Sequence, residues 1–321
     1  MTMRNQRLVR VESIERVASQ IKRFHFAPID DAALPCFSAG AHVIVTMRKG
    51  DAVYRNPYSL MSSPLDPRRY SISVLRVAES RGGSVHMHEN VEVGEVLEIS
   101  DPLNLFPIAH TARKHILIAG GIGITPFMAM LAQFRNDKSH FELHYAVRSP
   151  EDGAYFKALE AEGLPGVRLY RSDRGERIAL NAILQNQRLG THVYVCGPQR
   201  MIDWALETAK LEGWPDENVH SEHFSVPTPG NPFVVKLATS GKEIHVGEHQ
   251  SILEALEQAG VDAPYLCRGG ACGQCITRIT NTEGGAVHHN DHYLTDEEKK
   301  EGDRIATCVS RMDGGCLTLD L

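Results

Sequence analysis

Short β-rich runs with turn residues between them fill the first third of the chain: Leu8 to Ile14, Ile21 to Phe26, His42 to Met47, Tyr58 to Met61, Tyr70 to Val77 and Val96 to Ile99. No amphipathic segment of full helix length interrupts them, and only Gly83 to Val91 fits a short helix. Such frequent strands predict an antiparallel β-barrel over residues 1–108. Over 109–226 the pattern becomes an alternation. Strands at Ile116 to Ala119, Glu142 to Val147, Val167 to Arg171 and His192 to Cys196 alternate with helices at Thr125 to Phe134, Ala154 to Glu162 and Met201 to Glu212. That predicts an α/β domain with a parallel sheet covered by helices. Val226-Pro-Thr-Pro-Gly-Asn-Pro232 carries three prolines and reads as a stiff connector, with the linker at 227–232. In the last domain, 233–321, strands Phe233 to Ala238 and Lys242 to Val246 join at Thr239-Ser-Gly241. A helix from Ser251 to Ala259 follows and is stopped by Gly260. The whole is a multidomain α+β chain.

Ile116 to Ala132 is uncharged, but Gly120, Gly121, Gly123, Thr125 and Pro126 break it, so a buried strand, a tight loop and a helix fit better than a membrane span. The N-terminus has arginines with no apolar run behind them, which predicts no secretory signal and a cytoplasmic protein. The 321 residues carry a net charge of -6, so no basic field attracts nucleic acid. Seven cysteines, three of them crowded together, suit a metal site in a reducing compartment better than a disulfide framework.

Cys267, Cys272 and Cys275 are spaced C-x4-C-x2-C, and 32 residues intervene before Cys308, which is the plant-type 2Fe-2S ligand spacing. Gly269, Gly270 and Gly273 let the loop wrap closely. The alternative, structural zinc, favours paired C-x2-C elements, whereas here the first gap is four residues and the fourth cysteine stands alone. The segment Cys267 to Cys275 resembles the cluster loop of plant-type ferredoxins, which implies a C-terminal β-grasp domain. Cys36, Cys196 and Cys316 fall outside this spacing.

Ile116 to Pro126 places glycines between a strand and a helix start, where backbone N–H groups can face a pyrophosphate, with Thr125 as N-cap. Tyr194-Val-Cys-Gly-Pro198 ends a second strand about 70 residues later. Together these resemble the nicotinamide motifs of the ferredoxin-NADP reductase superfamily. The resemblance implies that Gly121, Gly123, Thr125 and Pro126 line the dinucleotide site, with Cys196, Gly197 and Pro198 beside the nicotinamide. Asp173 argues for NADH because a carboxylate accepts from ribose hydroxyls, while Arg171 and Arg174 leave NADPH open.

Tyr58-Ser59-Leu60, the strand containing Ser73, Val74 and Arg76, and Arg81-Gly82-Gly83-Ser84 follow the order of the flavin barrel of that superfamily. A tyrosine and serine on a strand can pack on the isoalloxazine and bond its N5 edge, and Gly82, Gly83 and Ser84 open a helix suited to a phosphate. The superfamily's usual arginine, two residues before the tyrosine, is replaced by Asn56, with Arg55 one residue further back. Glu222 to Phe224 resembles the segment whose aromatic ring covers the flavin. Ser59, Cys196 and Phe224 are thereby expected at the hydride path. The chain resembles, over nearly its full length, the phthalate dioxygenase reductase family, and Asn56 resembles the branch serving carnitine and related quaternary-ammonium oxygenases. The resemblance implies FMN, NADH and a 2Fe-2S cluster as cofactors.

Hydride transfer delivers two electrons, whereas the cluster accepts one, so a flavin between them holds the pair and releases it stepwise. The implied acceptor is the Rieske centre of a terminal oxygenase, with Arg268 and Gln274 steering docking from the surface. His86, His88, His288, His289 and His292 read as a solvated polar set rather than metal ligands. Two alternatives stand beside this: a stand-alone flavin, ferric or quinone reductase or redox sensor with the same cofactors, and a zinc module fused to a nucleotide-binding domain.

Overall fold

The computed structural model describes residues 6–30, 33–50, 52–66, 68–224 and 229–321. The first part of the expected linker, Pro227 and Thr228, lies outside them, as does Val226 before it.

Seven strands form the first sheet among these residues: β1 (Gln6–Ala18), β2 (Ile21–Pro28), β3 (Ala41–Lys49), β4 (Ala52–Ser59), β5 (Tyr70–Leu75), β6 (Val96–Ser100) and β7 (Leu103–Asn104). Their order is β4-β3-β6-β1-β2-β5, with β7 beside β3 and every pairing antiparallel. Just past β4 the Met61 N–H donates to Ser71 O on β5, drawing the two end strands together. Val9, Phe24, Val43, Val45, Tyr70 and Ile72 fill the interior. A short helix, α1 (Gly83–Glu89), lies outside the sheet path. Of the strand expected at Tyr58 to Met61 only Tyr58 and Ser59 are strand, the end of β4, which runs back through Asn56 and Pro57. As the terminal strand of the order, β4 tolerates a proline without breaking an inner ladder.

The next sheet is parallel, with the order β10-β9-β8-β11-β12, from β8 (Lys114–Gly120), β9 (Phe141–Val147), β10 (Val167–Arg171), β11 (Thr191–Cys196) and β12 (Val219–Glu222). Ile116 to Ala119 are fully buried because helices cover both faces, which explains the unbroken apolar run. Those helices are α2 (Thr125–Asp137), α3 (Phe156–Glu162), α4 (Leu180–Leu184) and α5 (Gln199–Leu211). Thr125 is a first-turn residue and not the N-cap: its hydroxyl donates to Ile122 O, because a 3-10 turn leads directly into α2. No helix among the described residues is long and apolar enough to cross a membrane.

The C-terminal sheet has the order β14-β13-β19-β15-β17, from β13 (Phe233–Leu237), β14 (Glu243–Val246), β15 (Ile276–Glu283), β17 (Arg304–Ala306) and β19 (Cys316–Leu319), with β16 (Val287–His288) paired to β18 (Arg311–Met312). A parallel β13–β19 pair flanked by antiparallel neighbours, with α6 (Ile252–Gln258) packed on one side, is a β-grasp. Ser251 and Glu254 close a reciprocal capping box at the start of α6. The other helix is α7 (Asp296–Glu301). The histidines expected in solvent are more engaged than that: His86 is buried in α1, His88 bonds Val74 O at 2.8 Å, and His292 stacks on His223 with ring centroids 3.7 Å apart. The chain folds these residues against neighbouring elements, which their spacing does not reveal.

Candidate functional site

A cavity of about 270 Å³ lies where the three sheets' domains meet. The barrel supplies Asn56, Tyr58, Ser59, Ser73, Arg81 and Ser84, the parallel-sheet domain Thr125, Glu222 and Phe224, and the cysteine loop Cys267, Gly269 and Ala271. Residues from separate motifs hundreds of positions apart thus share one wall.

On the barrel side, His42 and Ser59 face each other across the β3–β4 hairpin. Both line the cavity, and the buried His42 Nε2 and Ser59 Oγ have no protein partner. Unpaired buried polar atoms on the cavity wall fit a polar heterocyclic ligand. Burial holds His42 down at about 4, so it is neutral at pH 7. Asn56 Nδ2 donates to Tyr58 Oη at 3.2 Å, and burial raises the Tyr58 phenol to about 12. The same amide occupies the place a side chain on Gly83 would need, since a Cβ there would lie 2.5 Å from Nδ2. Ser73 Oγ meets Tyr155 Oη at 2.5 Å, joining barrel to nucleotide domain. Ser84 Oγ lies 3.2 Å from Ser80 Oγ, and Gly82 takes a φ of +114 against the Tyr54 ring.

Other expected flavin residues lie elsewhere. Leu60 and Val74 put their side chains into the barrel core, so a contact from either is through backbone. Arg76 pairs with Glu89 at 2.6 Å. Arg55 pairs with Glu257 of α6 at 3.1 Å, and it is Arg81, paired with Glu254, that reaches the cavity.

The two glycine-bearing motifs meet because β8 and β11 are parallel neighbours. A Cβ on Gly123 would lie 2.3 Å from Cys196 O and 2.7 Å from Gly197 N, so the loop can approach β11 only as glycine. Gly121 has a φ of +53. Pro126 stands in the first turn of α2, and Pro198 immediately precedes α5. Cys196 is fully buried, and desolvation with the nearby Glu222 charge raises its thiol well above the ordinary range. Burial likewise pushes Glu222 up to about 8, and its Oε2 has no partner. Phe224 is 41% exposed at the cavity edge. Asp173, just after β10, pairs with Arg171 at 3.1 Å.

The four expected cluster cysteines converge as two pairs. Cys275 and Cys308 lie 3.1 Å apart, and Cys267 shares a hydrogen bond with Cys272. That bond, with N–H groups of Gly269, Ala271 and Cys272 turned towards it, pulls the Cys267 thiol down to about 5. Among the described residues no three ligating side chains converge as a single-ion site. Two thiol pairs ringed by backbone donors fit a two-iron cluster, each pair holding one iron. Gly273 has a φ of +72 and lies under the Tyr293 ring, where a Cβ would meet ring atoms at 2.3 Å. Arg268 is not a surface charge: its side chain is 4% exposed, it pairs with Glu257, and it stacks at 4.1 Å on Tyr265.

His42, which no motif in the sequence marks, completes the wall with Arg81 and Glu222, which open the Arg81–Ser84 and Glu222–Phe224 motifs. The signal for His42 is the register of a hairpin, which spacing does not reveal.

A barrel, a parallel-sheet domain and a cysteine-bearing β-grasp around one cavity define a three-domain electron-transfer oxidoreductase carrying a 2Fe-2S domain. The model of the 2Fe-2S iron-sulfur cluster binding domain matches residues 235–313, and that of the N-terminal domain of dimethylamine monooxygenase subunit DmmA-like proteins matches 103–219. The heme-dependent oxidative N-demethylase beta subunit of Ectopseudomonas mendocina (strain ymp) is 44% identical, over 98% of this chain and 98% of its own length. The carnitine monooxygenase reductase subunit of Acinetobacter baumannii is 42% identical, over 97% and 96%. The solved structure of phthalate dioxygenase reductase, described as modular for electron transfer from pyridine nucleotides to [2Fe-2S], superposes with a TM-score of 0.89 at 34% identity, covering 99% of this chain and 98% of that one. The chain belongs to the phthalate dioxygenase reductase family.

Proposed function

We propose that this chain takes a hydride from NADH onto FMN and passes single electrons through its 2Fe-2S cluster to the Rieske centre of a separate terminal oxygenase. One observation carries the reading: Ser59 and Tyr58 of the barrel, Thr125 and Glu222 of the nucleotide domain, and the ligand Cys267 all line the same cavity. Bound there, FMN would accept the hydride pair and give it up one electron at a time. Ser59 Oγ offers it a hydrogen bond that nothing in the protein uses, while burial keeps Tyr58 neutral and Asn56 orients it. Arg81, with a buried Nε lacking a partner, and the Ser80–Ser84 pair suit the phosphate. Glu222, protonated at neutral pH, can donate to the nicotinamide carboxamide, and Cys196 is small enough to leave the ring's face open. Asp173 keeps acceptor capacity for the adenosine ribose, which favours NADH.

Cofactor release should yield FMN with about two irons per chain, and anaerobic NADH should bleach both sets of visible bands. FAD, or a cluster that stays oxidised, overturns the reading. A second acceptor is favoured by one finding, the 44% likeness to the subunit of a heme-dependent N-demethylase. Anaerobic reduction of a purified Rieske oxygenase against a haem oxygenase by the NADH-reduced chain separates the two.

A further inference from the structure

Five charged side chains cross the boundary between the flavin barrel and the cluster domain. Glu254 and Glu257 stand three residues apart on α6 and so share a face of that helix. Glu254 pairs with Arg81, which precedes α1, and both side chains are only 9% exposed. Glu257 pairs at 3.1 Å with Arg55 of β4 and also with Arg268, the residue after the ligand Cys267. A chain of ion pairs therefore runs from the barrel strand that carries Tyr58 to the loop that carries the first cluster ligand. Next to it, Gly269 approaches Pro57 closely enough that a Cβ would lie 3.9 Å from Pro57 Cγ. Ion pairs this secluded from water are weakly screened and directional, so they fix one orientation more than they add general adhesion.

We propose that Glu254 and Glu257 are positioning residues that seat the cluster domain on the flavin barrel and thereby set the rate at which an electron leaves the flavin and enters the iron pair. Neither touches the cavity. Both act through Arg55, Arg81 and Arg268, and through the distance those contacts impose between Tyr58 and Cys267. Removing either charge leaves a buried guanidinium without its partner and releases the domain from its seat. The proposal rests on the flavin-to-cluster path above.

Stopped-flow mixing of the holoprotein with NADH under anaerobic conditions reads the steps separately, flavin bleaching first and cluster bleaching after it. Glu257→Gln is expected to leave flavin reduction, iron content and the cluster spectrum as in wild type while slowing cluster reduction about tenfold or more. Small-angle scattering should show a more extended particle, and Glu257→Asp, which keeps the charge, should regain part of the rate. Glu254 also closes the helix cap, so Glu254→Gln serves as the companion variant and Glu257→Gln as the deciding one. Unchanged cluster reduction in Glu257→Gln overturns the proposal. Loss of iron from that variant also overturns it, since the carboxylate would then support the cluster loop through Arg268. A wild-type protein in which NADH bleaches the flavin but never the cluster removes the functional reading itself, and this proposal with it.

Discussion

Gly123→Ala tests how the nucleotide loop is packed. The new Cβ would lie 2.3 Å from Cys196 O, 2.5 Å from Cys196 C and 2.7 Å from Gly197 N, all backbone atoms inside a parallel sheet. No side-chain rotation relieves the contact, so the loop must lift away from β11. Overpacking of this kind costs about 1–3 kcal/mol, and a rigid neighbour puts it near the top of that range. For a domain of this size that is a fall in melting temperature of about 10 °C. Lifting the loop also turns its N–H groups off the proposed pyrophosphate, where each charge-assisted bond is worth about 1.5–3 kcal/mol, so the KM for NADH should rise about tenfold or more. Gly121→Ala is the control: nothing lies within 4 Å of its Cβ, but its φ of +53 adds only about 1–2 kcal/mol of strain. Both tryptophans of the chain, Trp204 and Trp214, belong to the nucleotide domain, so their fluorescence reports its melting directly. If Gly123→Ala melts within about 2 °C of wild type with an unchanged KM, or if Gly121→Ala is the more damaging, the packing argument is refuted.

Ser59→Ala removes a hydroxyl that bonds nothing in the protein, so thermal stability should be unchanged or slightly raised while hydride transfer slows about tenfold, from one lost hydrogen bond; a destabilised protein with normal hydride transfer would contradict this. Cys272→Ser should abolish reduction of a one-electron protein acceptor and the cluster's visible bands while NADH still bleaches the flavin, checked by absorption and iron assay. Acid should weaken the nucleotide domain. Burial lowers His115 to about 4 and also lowers His144, His192 and His220, so below the unfolded value of 6.5 the unfolded chain takes protons that the folded one refuses. Stability is thus fully present above pH 6.5 and lost as pH falls towards 4, by about 3 kcal/mol for His115 alone. Because His115 stacks on Phe134 at 4.3 Å, His115→Phe should flatten the tryptophan-detected unfolding profile over that range.

What could be read ahead of the structure was whatever chemistry needs in a fixed local spacing. The cysteine loop is such a case: a two-iron cluster demands thiolates at short intervals in a glycine-rich turn, so the spacing of Cys267, Cys272 and Cys275 says almost all of it. The buried runs of β8 and β11 were equally plain, because helices on both faces leave no polar positions to confuse the pattern. The edges were harder. Pro57 hides most of β4, since a proline argues against a strand unless the strand is terminal, and β15 to β19 are short strands beside a cluster loop that carry little periodicity. His42 entered the site only through cross-strand register with Ser59, a tertiary fact.

Arg268 shows the same limit at the level of function. Its identity beside Cys267 was plain, but its direction was not, and an arginine next to a cluster reads as a docking charge until α6 brings Glu257 against it. With that pair in place, Cys267, Gly269 and Ala271 line the cavity, and Gly269 lies close to Pro57 of the barrel. On the proposed path an external acceptor docks elsewhere on the loop. Gln274 is exposed there, and the Tyr293 ring, 54% exposed, lies over Gly273. If electrons enter past Cys267 as proposed, they leave by a different face, because the Glu257 ion pairs with Arg55 and Arg268 occupy the first one. The contact proposed to bring the cluster to the flavin would therefore also hold the acceptor to another side of the cluster, where it would not compete with the flavin.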